Sequence, residues 1–370
     1  MNGRLDTLTV EHFKCFEDLR LPLKPLTLFT GFNGAGKSTA LQPLLLLAQA
    51  ARLGAWGSKG KTGKLPLNGE VVRLGSAGDV LRSSRGDRAT RFALASGDDD
   101  LEVTVSAKAG DRVLSTVTAA SEGGARELSR KIDRLVHISA VRGGPADSFP
   151  IPDRSYSGQA DVGVDGRYAS HWYHELADEE VRVEARCPGS IGTTFRRQVD
   201  AWLDFLAPGA AADVQAVPTA SSLVLRFRLS EVGEWKRPAN VGYGLTYVFP
   251  IVVALLAAEP GDVVLIDSPE AHLHPQAQSR AGRMLACFAT AGVQLLVETH
   301  SDHVLNGIRL AVAEGVLPPA DAGLTFFAGA SEAGHGVTTP QVDKHGRVSS
   351  WPEGFFDQSD NDVGKLAGWS

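Results

Sequence analysis

The feature that most constrains this chain is a glycine-rich segment, Gly31-Phe-Asn-Gly-Ala-Gly-Lys-Ser38, which matches the pattern GxxxxGK[ST] in full. It follows the apolar run 26–29 and precedes a segment whose apolar residues recur at helical spacing. In this strand-to-helix context, backbone N–H groups surround the phosphates of a nucleotide, the lysine reaches the β and γ phosphates, and the serine hydroxyl binds Mg²⁺. The segment therefore predicts a P-loop that uses ATP and Mg²⁺ as cofactors. The residues predicted to contact the nucleotide are Gly31, Asn33, Gly34, Gly36, Lys37, Ser38 and Thr39.

An apolar run that ends in a carboxylate lies further along the chain. The run Val263–Asp267 is typical of a Walker B strand, in which the sheet holds an aspartate beside the P-loop so that it orients Mg²⁺. An aspartate at a strand end is more often a turn or helix-cap residue, but a P-loop in the same chain favours the functional interpretation. Asp267 is therefore predicted as a catalytic residue and, with Ser38, as a metal ligand. His300 follows the apolar run 294–298 and is predicted to sense the γ phosphate, although a lone histidine there is usually structural.

A second glycine-containing segment comes directly before an apolar helical pattern. It contains Asn240, Gly242 and Gly244. Two glycines before a helix expose N–H groups and the positive end of the helix dipole, which together form an anion site. Because one triphosphate needs only one P-loop, we expect this segment to contact the nucleotide of a partner subunit in a homodimer or higher oligomer. A plain glycine-rich helix start is the alternative.

The composition is that of an ordinary globular protein, with 370 residues of which 43% are hydrophobic and 22% charged. Three scattered cysteines, Cys15, Cys187 and Cys287, give no disulfide framework and no CxxC pair, which favours a reducing cytoplasm. The longest apolar runs are shorter than the roughly 18–20 residues that span a bilayer, so we expect no membrane segment. The net charge of −6 argues against nucleic-acid binding over the whole surface but permits a local basic patch for DNA.

Alternating strand and helix patterns indicate an α/β fold with a parallel sheet covered by helices. Short apolar runs that include 70–74 and 135–138 predict an N-terminal β lobe, and the Gly/Lys-rich stretch 54–64 predicts a loop. Helical patterns near 168–180 and 194–206 predict a small helical insertion. The predicted division is an N-terminal ATPase lobe at 1–140, the insertion with returning strands at 141–237, a C-terminal ATPase lobe at 238–330 and a tail at 331–370.

The order of P-loop, glycine signature, Walker B strand and histidine resembles the ABC-type ATPase head of the RecF, SMC and overcoming-lysogenization-defect (OLD) class. The opening His12-Phe-Lys-Cys-Phe16 is similar to the "nFKsF" strand of that class, and Pro269-Glu-Ala-His-Leu-His-Pro275 is similar to the "PExHLHP" of OLD-like ATPases. The stretch 136–145 and the tail 351–358 resemble segments of stand-alone AAA-family ATPases that carry a C-terminal domain of unknown function. The resemblance implies a P-loop NTPase head of ABC type that forms a head-to-tail dimer.

Carried over by position, the resemblance places Ser268 where many relatives have the hydrolytic glutamate, and residues 271–274 on the D-loop that crosses the dimer. A serine cannot act as a carboxylate base near neutral pH, so we expect slow hydrolysis in which Glu270, or alternatively Glu298, orients the water. Glu270 therefore joins Asp267 and His300 as a predicted catalytic residue.

Several other residues have both a functional and a structural interpretation. His272 and His274 could suggest a metal site, but their D-loop position and the lack of a nearby cysteine favour a structural or dimer-contact role. Arg142 either reaches a phosphate or the partner, or is an ordinary surface arginine. Aromatic residues of the tail are expected to pack it onto the head, with docking of a partner as the alternative. These are Trp351, Phe355 and Phe356.

The resemblance also implies a function. Members of the subgroup commonly occur beside genes for nucleases or other effectors, and related ATPases serve in phage defence. We therefore expect an ATP-dependent dimeric switch that regulates a separate, nuclease-like effector, since no nuclease residues are recognisable after His300. The alternative is a RecF-like DNA clamp in repair, which would carry a basic stripe on one face of the dimer. A transporter subunit fits less well, because the signature is not LSGGQ.

Overall fold

The computed structural model of the protein describes residues 4–55, 62–81, 89–108, 110–120, 124–152, 160–181, 184, 187–190, 192–230, 232–331, 334–352, 354, 356, 362–363 and 365–367. In chain order, the elements are β1 (Thr7–Phe13), β2 (Phe16–Pro22), β3 (Leu26–Gly31), α1 (Lys37–Arg52), β4 (Thr62–Pro66), α2 (Ala77–Val80), β5 (Thr90–Ser96), β6 (Asp99–Ser106), β7 (Val113–Ala120), α3 (Gly124–Asp133), β8 (Val136–Ile138), β9 (Phe149–Pro150), α4 (Ala169–Leu176), α5 (Phe195–Leu206), β10 (Ala211–Val217), β11 (Ser222–Arg228), α6 (Tyr243–Ala257), β12 (Val263–Asp267), α7 (Pro275–Thr290), β13 (Gln294–Glu298), α8 (Asp302–Ala313), β14 (Ala322–Ser331) and β15 (Gly334–Thr338).

A six-stranded sheet in the order β15-β14-β3-β13-β12-β8 forms the centre of the molecule. Its strands are parallel except for β15, which pairs antiparallel with β14. Because the carboxyl ends of parallel strands meet at one edge of a sheet, the segments after β3, β12 and β13 lie close together. Those segments are the predicted P-loop, Walker B end and histidine, so the predicted α/β fold with an ABC-type head is confirmed.

The two faces of this sheet are covered by different parts of the chain. Leu265 and Leu296 point into a core formed with α1 and the β lobe. Ile266 and Val297 point into the other core, formed mainly with α6, α7 and the insertion. Since side chains alternate along a strand, Asp267 and Glu298 continue the rows of Leu265 and Leu296 and project on the α1 side. The P-loop helix and both carboxylates therefore share one face of the sheet.

The N-terminal β lobe is an antiparallel sheet in the order β2-β1-β5-β6-β7-β4. The predicted strand at 70–74 is wrong. The backbone N–H groups of Val71 and Val72 both donate to Oε1 of Gln49, at 3.2 and 3.1 Å, so a side chain of α1 takes the hydrogen bonds that a neighbouring strand would have received. The segment therefore forms a tight turn over the P-loop helix.

Three further differences concern the first half of the chain. The run 135–138 forms β8, but β8 pairs in parallel with β12 and belongs to the central sheet instead of the β lobe. The predicted loop 54–64 overlaps β4, an edge strand of the β lobe that pairs with β7. The helix α3 was not predicted, because its polar sequence carries few apolar positions. The first two errors share a cause, since pairing partners distant in the chain decide where β8 and β4 lie.

The helical insertion contains α4 and α5 together with a small sheet in the order β10-β11-β9. Both helices were predicted, and α4 is shorter than its pattern. In the tail, the ring of Trp351 lies 5.5 Å from the guanidinium carbon of Arg309, and Phe356 packs against the main core. Phe355 lies outside the described residues. The predicted boundary at 330/331 falls inside β14, and the division into four segments stays a prediction.

Candidate nucleotide-binding site

The segment Gly31–Ser38 connects the end of β3 to the start of α1, as the sequence predicts. Two of its glycines are required by geometry. At Gly31, φ is +134° and a Cβ would lie 2.1 Å from the carbonyl oxygen of Phe327, so a side chain would collide with the backbone of β14. Gly36 has a φ of +102° and is the N-cap of α1, where it offers no side chain to the first N–H groups of the helix. These N–H groups are therefore available to an anion.

Lys37 is 4% exposed and lies over the loop that precedes it. Its Nζ donates to the carbonyl oxygens of Gly31, at 3.0 Å, and Phe32, at 2.9 Å. Burial lowers the pKa of this ammonium group, while the nearby carboxylates of Glu298 and Asp267 act in the opposite direction. A cation is thus held at the mouth of the loop without a direct ion-pair partner among its hydrogen bonds.

Two carboxylates lie side by side at the sheet edge. Asp267 and Glu298 are register partners in the parallel pair β12 and β13. Glu298 is 5% exposed and accepts a hydrogen bond from the Ser38 hydroxyl at 2.9 Å, whereas Oδ1 of Asp267 accepts one from the Ser268 hydroxyl at 2.9 Å. Burial and the neighbouring charge of Asp267 raise the pKa of Glu298 to about 7. The hydroxyl of Ser38 in the P-loop is therefore hydrogen-bonded to Glu298. The sequence analysis had considered Glu298 only as an alternative to Glu270 for orienting the water.

Glu270 has both carboxylate oxygens engaged. Oε2 accepts from the Thr299 hydroxyl at 2.7 Å, and Oε1 accepts from the backbone N–H of His300 at 2.8 Å. The exposed ring of His300 has a lowered pKa, caused by partial desolvation and by the charge of Lys37. Glu270 therefore fixes the backbone that carries His300.

A cavity of about 380 Å³ opens between the P-loop, the end of β13 and the turn between β1 and β2. It brings the predicted P-loop residues other than Gly31 together with Glu298 and His300, whereas Asp267 and Glu270 are not among the described residues that line it. The turn adds Lys14 and Cys15, which the sequence analysis did not predict as site residues. The lining consists of Lys14, Cys15, Asn33, Gly34, Gly36, Lys37, Ser38, Thr39, Glu298 and His300.

The signature segment lies away from this cavity, at the N-terminus of α6. Gly242 is the exposed N-cap, with a φ of +79° and a ψ of 164°, and a Cβ there would meet nothing within 4 Å. At Gly244 a Cβ would lie 3.0 Å from the carbonyl oxygen of His272 in the same chain. Gly242 and the exposed Asn240 thus face solvent, whereas Gly244 permits close packing of α6 on the D-loop.

Arg142 is a buried cation beside the end of β12, with 3% of its surface exposed. Its Nη2 donates to the carbonyl oxygens of Asp267, at 2.9 Å, and Ser268, and its guanidinium carbon lies 5.3 Å from the centre of the Tyr247 ring on α6. Burial lowers its pKa to about 10. Its Nε and Nη1 have no hydrogen-bond partner among the described residues. Arg142 is therefore not a surface arginine, and it holds the backbone at the end of β12.

Comparisons with known proteins agree with this geometry. A family model described as an AAA domain, whose description also mentions the AbiEii toxin of a type IV TA system, matches residues 133–306. A second, "Protein of unknown function (DUF3696)", matches residues 317–366. A stretch of 43 residues is 51% identical to the OLD nuclease of Thermus scotoductus. These matches support an ABC-type, OLD-like P-loop ATPase.

Solved structures give the same fold for this OLD-like ATPase. An SMC head bound to the C-terminal winged-helix domain of ScpA covers 92% of the chain at 13% identity, with a TM-score of 0.53. An SMC head with an extended coiled coil, bound to the C-terminal domain of ScpA from Pyrococcus furiosus, covers 99% at 12% identity, with a TM-score of 0.52. The match to the OLD nuclease spans only 12% of this chain and 8% of that protein.

The two histidines of the D-loop have structural partners in the OLD-like ATPase. The His272 ring packs against those of Tyr243 and Tyr247, at 5.2 and 4.5 Å between centroids, and Nδ1 of His274 accepts from the N–H of Gln276 at the start of α7. Within the described residues, no group of three or more His, Cys, Asp or Glu side chains could hold a metal ion. The hard oxygen donors at the P-loop still suit Mg²⁺, which in such sites takes further ligands from phosphate and water.

The remaining sequence expectations concern compartment and membrane. Among the described residues, Cys15, Cys187 and Cys287 form no disulfide bond. In the part of the chain that the structure describes, no helix combines the length and the apolar character that a membrane span requires.

Proposed function

We propose that this protein binds ATP with Mg²⁺ at the P-loop, hydrolyses it slowly, and works as a nucleotide-dependent dimeric switch for a separate effector. The observation that carries the proposal is the convergence of Lys37, Ser38 and a carboxylate pair on an uncapped helix N-terminus. Together they supply a cation, free N–H groups and hard oxygen ligands around one cavity. These are the groups that a magnesium-bound triphosphate requires.

Nucleotide binding would change the partners of Lys37. Its Nζ now bonds two neutral carbonyl oxygens of the loop. Phosphate oxygens offer charge-assisted hydrogen bonds, which are about twice as strong as neutral ones. ATP would therefore draw the ammonium group toward the β and γ phosphates while the N–H groups of α1 bind the same oxygens.

Hydrolysis requires a water oxygen to bond to the γ phosphorus as the bond from that phosphorus to the bridging oxygen breaks, giving ADP and phosphate. When bound, Mg²⁺ would neutralise the charge on the β and γ phosphate oxygens, with Ser38 and Asp267 as its predicted protein ligands. His300 lines the cavity, and Glu270 holds its backbone, so we assign Glu270 a positioning role. Because Ser268 offers no carboxylate, the water lacks a strong base and turnover is slow.

Dimerisation follows from the place of the signature. The N-terminus of α6 presents Asn240 and Gly242 to solvent, next to the half-exposed ring of Tyr243. An anion site of this kind needs a phosphate brought by another molecule, since the chain's own P-loop is at a different cavity. Two copies arranged head to tail would each place this segment on the other's nucleotide.

The proposed effector is a separate, nuclease-like protein. The chain shares a short stretch with the OLD nuclease, and we propose that a separate, nuclease-like protein reads the open or closed state of the dimer. A defence or DNA-processing role rests on the family resemblance. The sequence alternative, a RecF-like DNA clamp, differs in one measurable way, because DNA itself would then stabilise the closed dimer.

The proposal is tested by measuring ATP affinity by calorimetry and mass by light scattering, with and without ATP and Mg²⁺. We expect the parent protein to bind ATP and double its mass, and Lys37→Ala to bind at least about tenfold more weakly, from the loss of about 1.5–3 kcal/mol of charge-assisted contacts. Lys344→Ala removes an exposed lysine outside the cavity and should behave as the parent. Unchanged affinity of a folded Lys37→Ala protein would refute the site, and closure that occurs only with DNA would favour the clamp.

A further inference from the structure

We infer that Glu298 is a second carboxylate for the magnesium ion of the nucleotide, acting with Asp267 beside Ser38. The inference rests on the proposed function and extends it to a residue for which the sequence offered only water orientation. It starts from the position of Glu298 at the end of β13, between the P-loop strand β3 and the Walker B strand β12.

The sheet places the two carboxylates on the same side and at the same level. Glu298 and Asp267 are register partners in parallel strands, which lie about 4.8 Å apart. Both continue rows of side chains that pack under α1, the helix that begins at the P-loop. Neither strand therefore needs to bend for both carboxylates to reach an ion bound at the first turn of α1.

The hydrogen bonds distinguish the two carboxylates. The Ser38 hydroxyl donates to Oε1 of Glu298 at 2.9 Å, while Oδ1 of Asp267 takes the hydroxyl of Ser268 instead. A metal ion bound by the oxygen of Ser38 must lie next to the group that accepts the proton of that hydroxyl. In this chain that group is Glu298.

The local charge favours a dication at this place. Glu298 is 5% exposed and has Asp267 and Glu270 as acidic neighbours. The neighbouring cation, Lys37, directs hydrogen bonds at two carbonyl groups of the loop. Buried like charges without a paired cation are unfavourable, so an ion with two positive charges would relieve the repulsion between them.

Two other roles for Glu298 make different predictions. A general base would change the rate of hydrolysis and leave the effect of Mg²⁺ on ATP binding unaltered. A purely structural support for Ser38 would change ATP affinity by the same factor with and without Mg²⁺. Only a metal-side carboxylate changes the ratio of the two affinities.

The experiment measures ATP affinity of the full chain by calorimetry, in EDTA and across a Mg²⁺ titration. Glu298→Gln keeps the size of the side chain and an acceptor for Ser38 but removes the charge. We expect its affinity in EDTA to equal or exceed that of the parent, and the gain from Mg²⁺ to fall by about tenfold, as for other groups that support a bound metal. Glu314→Gln, at an exposed carboxylate on the surface ion pair with Arg283, should keep the full gain.

The outcomes separate this inference from the proposed function. A parent protein that binds no ATP overturns the proposed function. A parent that gains affinity from Mg²⁺, with an equal gain in Glu298→Gln, overturns only the role of Glu298. If the amide variant does not fold, Glu298→Asp retains the charge on a shorter side chain, and we expect its gain to be reduced by a few fold. A full parental gain in Glu298→Asp would then overturn the inference.

Discussion

Replacing Arg142 by methionine is expected to leave the fold nearly as stable as the parent while it impairs hydrolysis. The guanidinium group is buried, and its Nη2 holds the carbonyl oxygens of Asp267 and Ser268. In the described part of the chain, its Nε and Nη1 have no hydrogen-bond partner. The side chain therefore stabilises the fold through Nη2 and destabilises it through the burial of Nε and Nη1. Methionine is unbranched, is of similar length and fills irregular space.

The two contributions can be compared. Two charge-assisted hydrogen bonds are worth about 1.5–3 kcal/mol each, so their loss costs about 3–6 kcal/mol. Two buried guanidinium nitrogens without partners among the described residues cost about 1–3 kcal/mol each, so their removal returns about 2–6 kcal/mol. The two ranges largely cancel, so the free energy of unfolding should change by no more than about 4 kcal/mol in either direction. In a chain of this size that corresponds to a shift in Tm of a few degrees.

The effect on activity should be larger, because Arg142 fixes the backbone that carries Asp267. A misplacement of about 1 Å in a catalytic group can cost about a hundredfold in rate. We expect phosphate release by Arg142→Met to fall at least tenfold with ATP affinity unchanged, and Arg142→Lys to be intermediate, because an ammonium lacks the planar fork. Calorimetric unfolding measures the change in stability, and a phosphate-release assay measures the change in hydrolysis rate. A drop in Tm of more than about 10 °C, or a parental rate, would refute this reasoning.

Three further predictions follow from other contacts. Glu270→Gln should reduce the rate of phosphate release with little change in ATP binding. Ser268→Glu should increase the rate of phosphate release by restoring a carboxylate. A parental rate in Glu270→Gln would leave Glu270 without a role in turnover. With a non-hydrolysable ATP analogue, Gly242→Glu should remain monomeric in light scattering. Gly315→Glu is the control, because Gly315 has a similar φ and equally open surroundings, and this variant should dimerise. A dimer of Gly242→Glu would contradict a nucleotide site shared between two subunits. Burial raises the pKa of Asp200 to about 6 from 3.8, so its contribution to stability is present below about pH 4 and is lost as the pH rises through 6. In thermal unfolding, Asp200→Asn should therefore be more stable than the parent at pH 7, by at most about 3 kcal/mol, and equally stable near pH 4. A stability difference that does not vary with pH would contradict the raised pKa of Asp200.

The sequence predicted the elements that local patterns define. The strands at 263–267 and 294–298 have the predicted bounds, and α1 begins directly after Gly36. These segments could be predicted from sequence because their apolar runs are continuous and their ends carry glycine or charged residues. The order of the P-loop, Asp267 and His300 then sufficed to place all three at one sheet edge.

What the sequence did not predict depends on contacts between distant segments. The pairing of Ser38 with Glu298 joins residues 260 positions apart, and no pattern near either residue indicates it. Arg142 could be recognised as buried only once β8 was paired with β12. In both cases the missing information was which strand lies beside which, because this decides the side chains that meet at the sheet edge.

The strand β14 has a consequence for how the C-terminal region can be studied. Residues 317–366, which match the model of unknown function, supply β14 and β15, and β14 pairs along the whole of β3. Removing this region would turn the P-loop strand into an open sheet edge and remove Phe327, whose backbone lies against Gly31. The C-terminal region is thus part of the nucleotide site and not a detachable appendage. A protein that docks on it and shifts β14 would act on the P-loop through a single layer of hydrogen bonds, without any hinge in between.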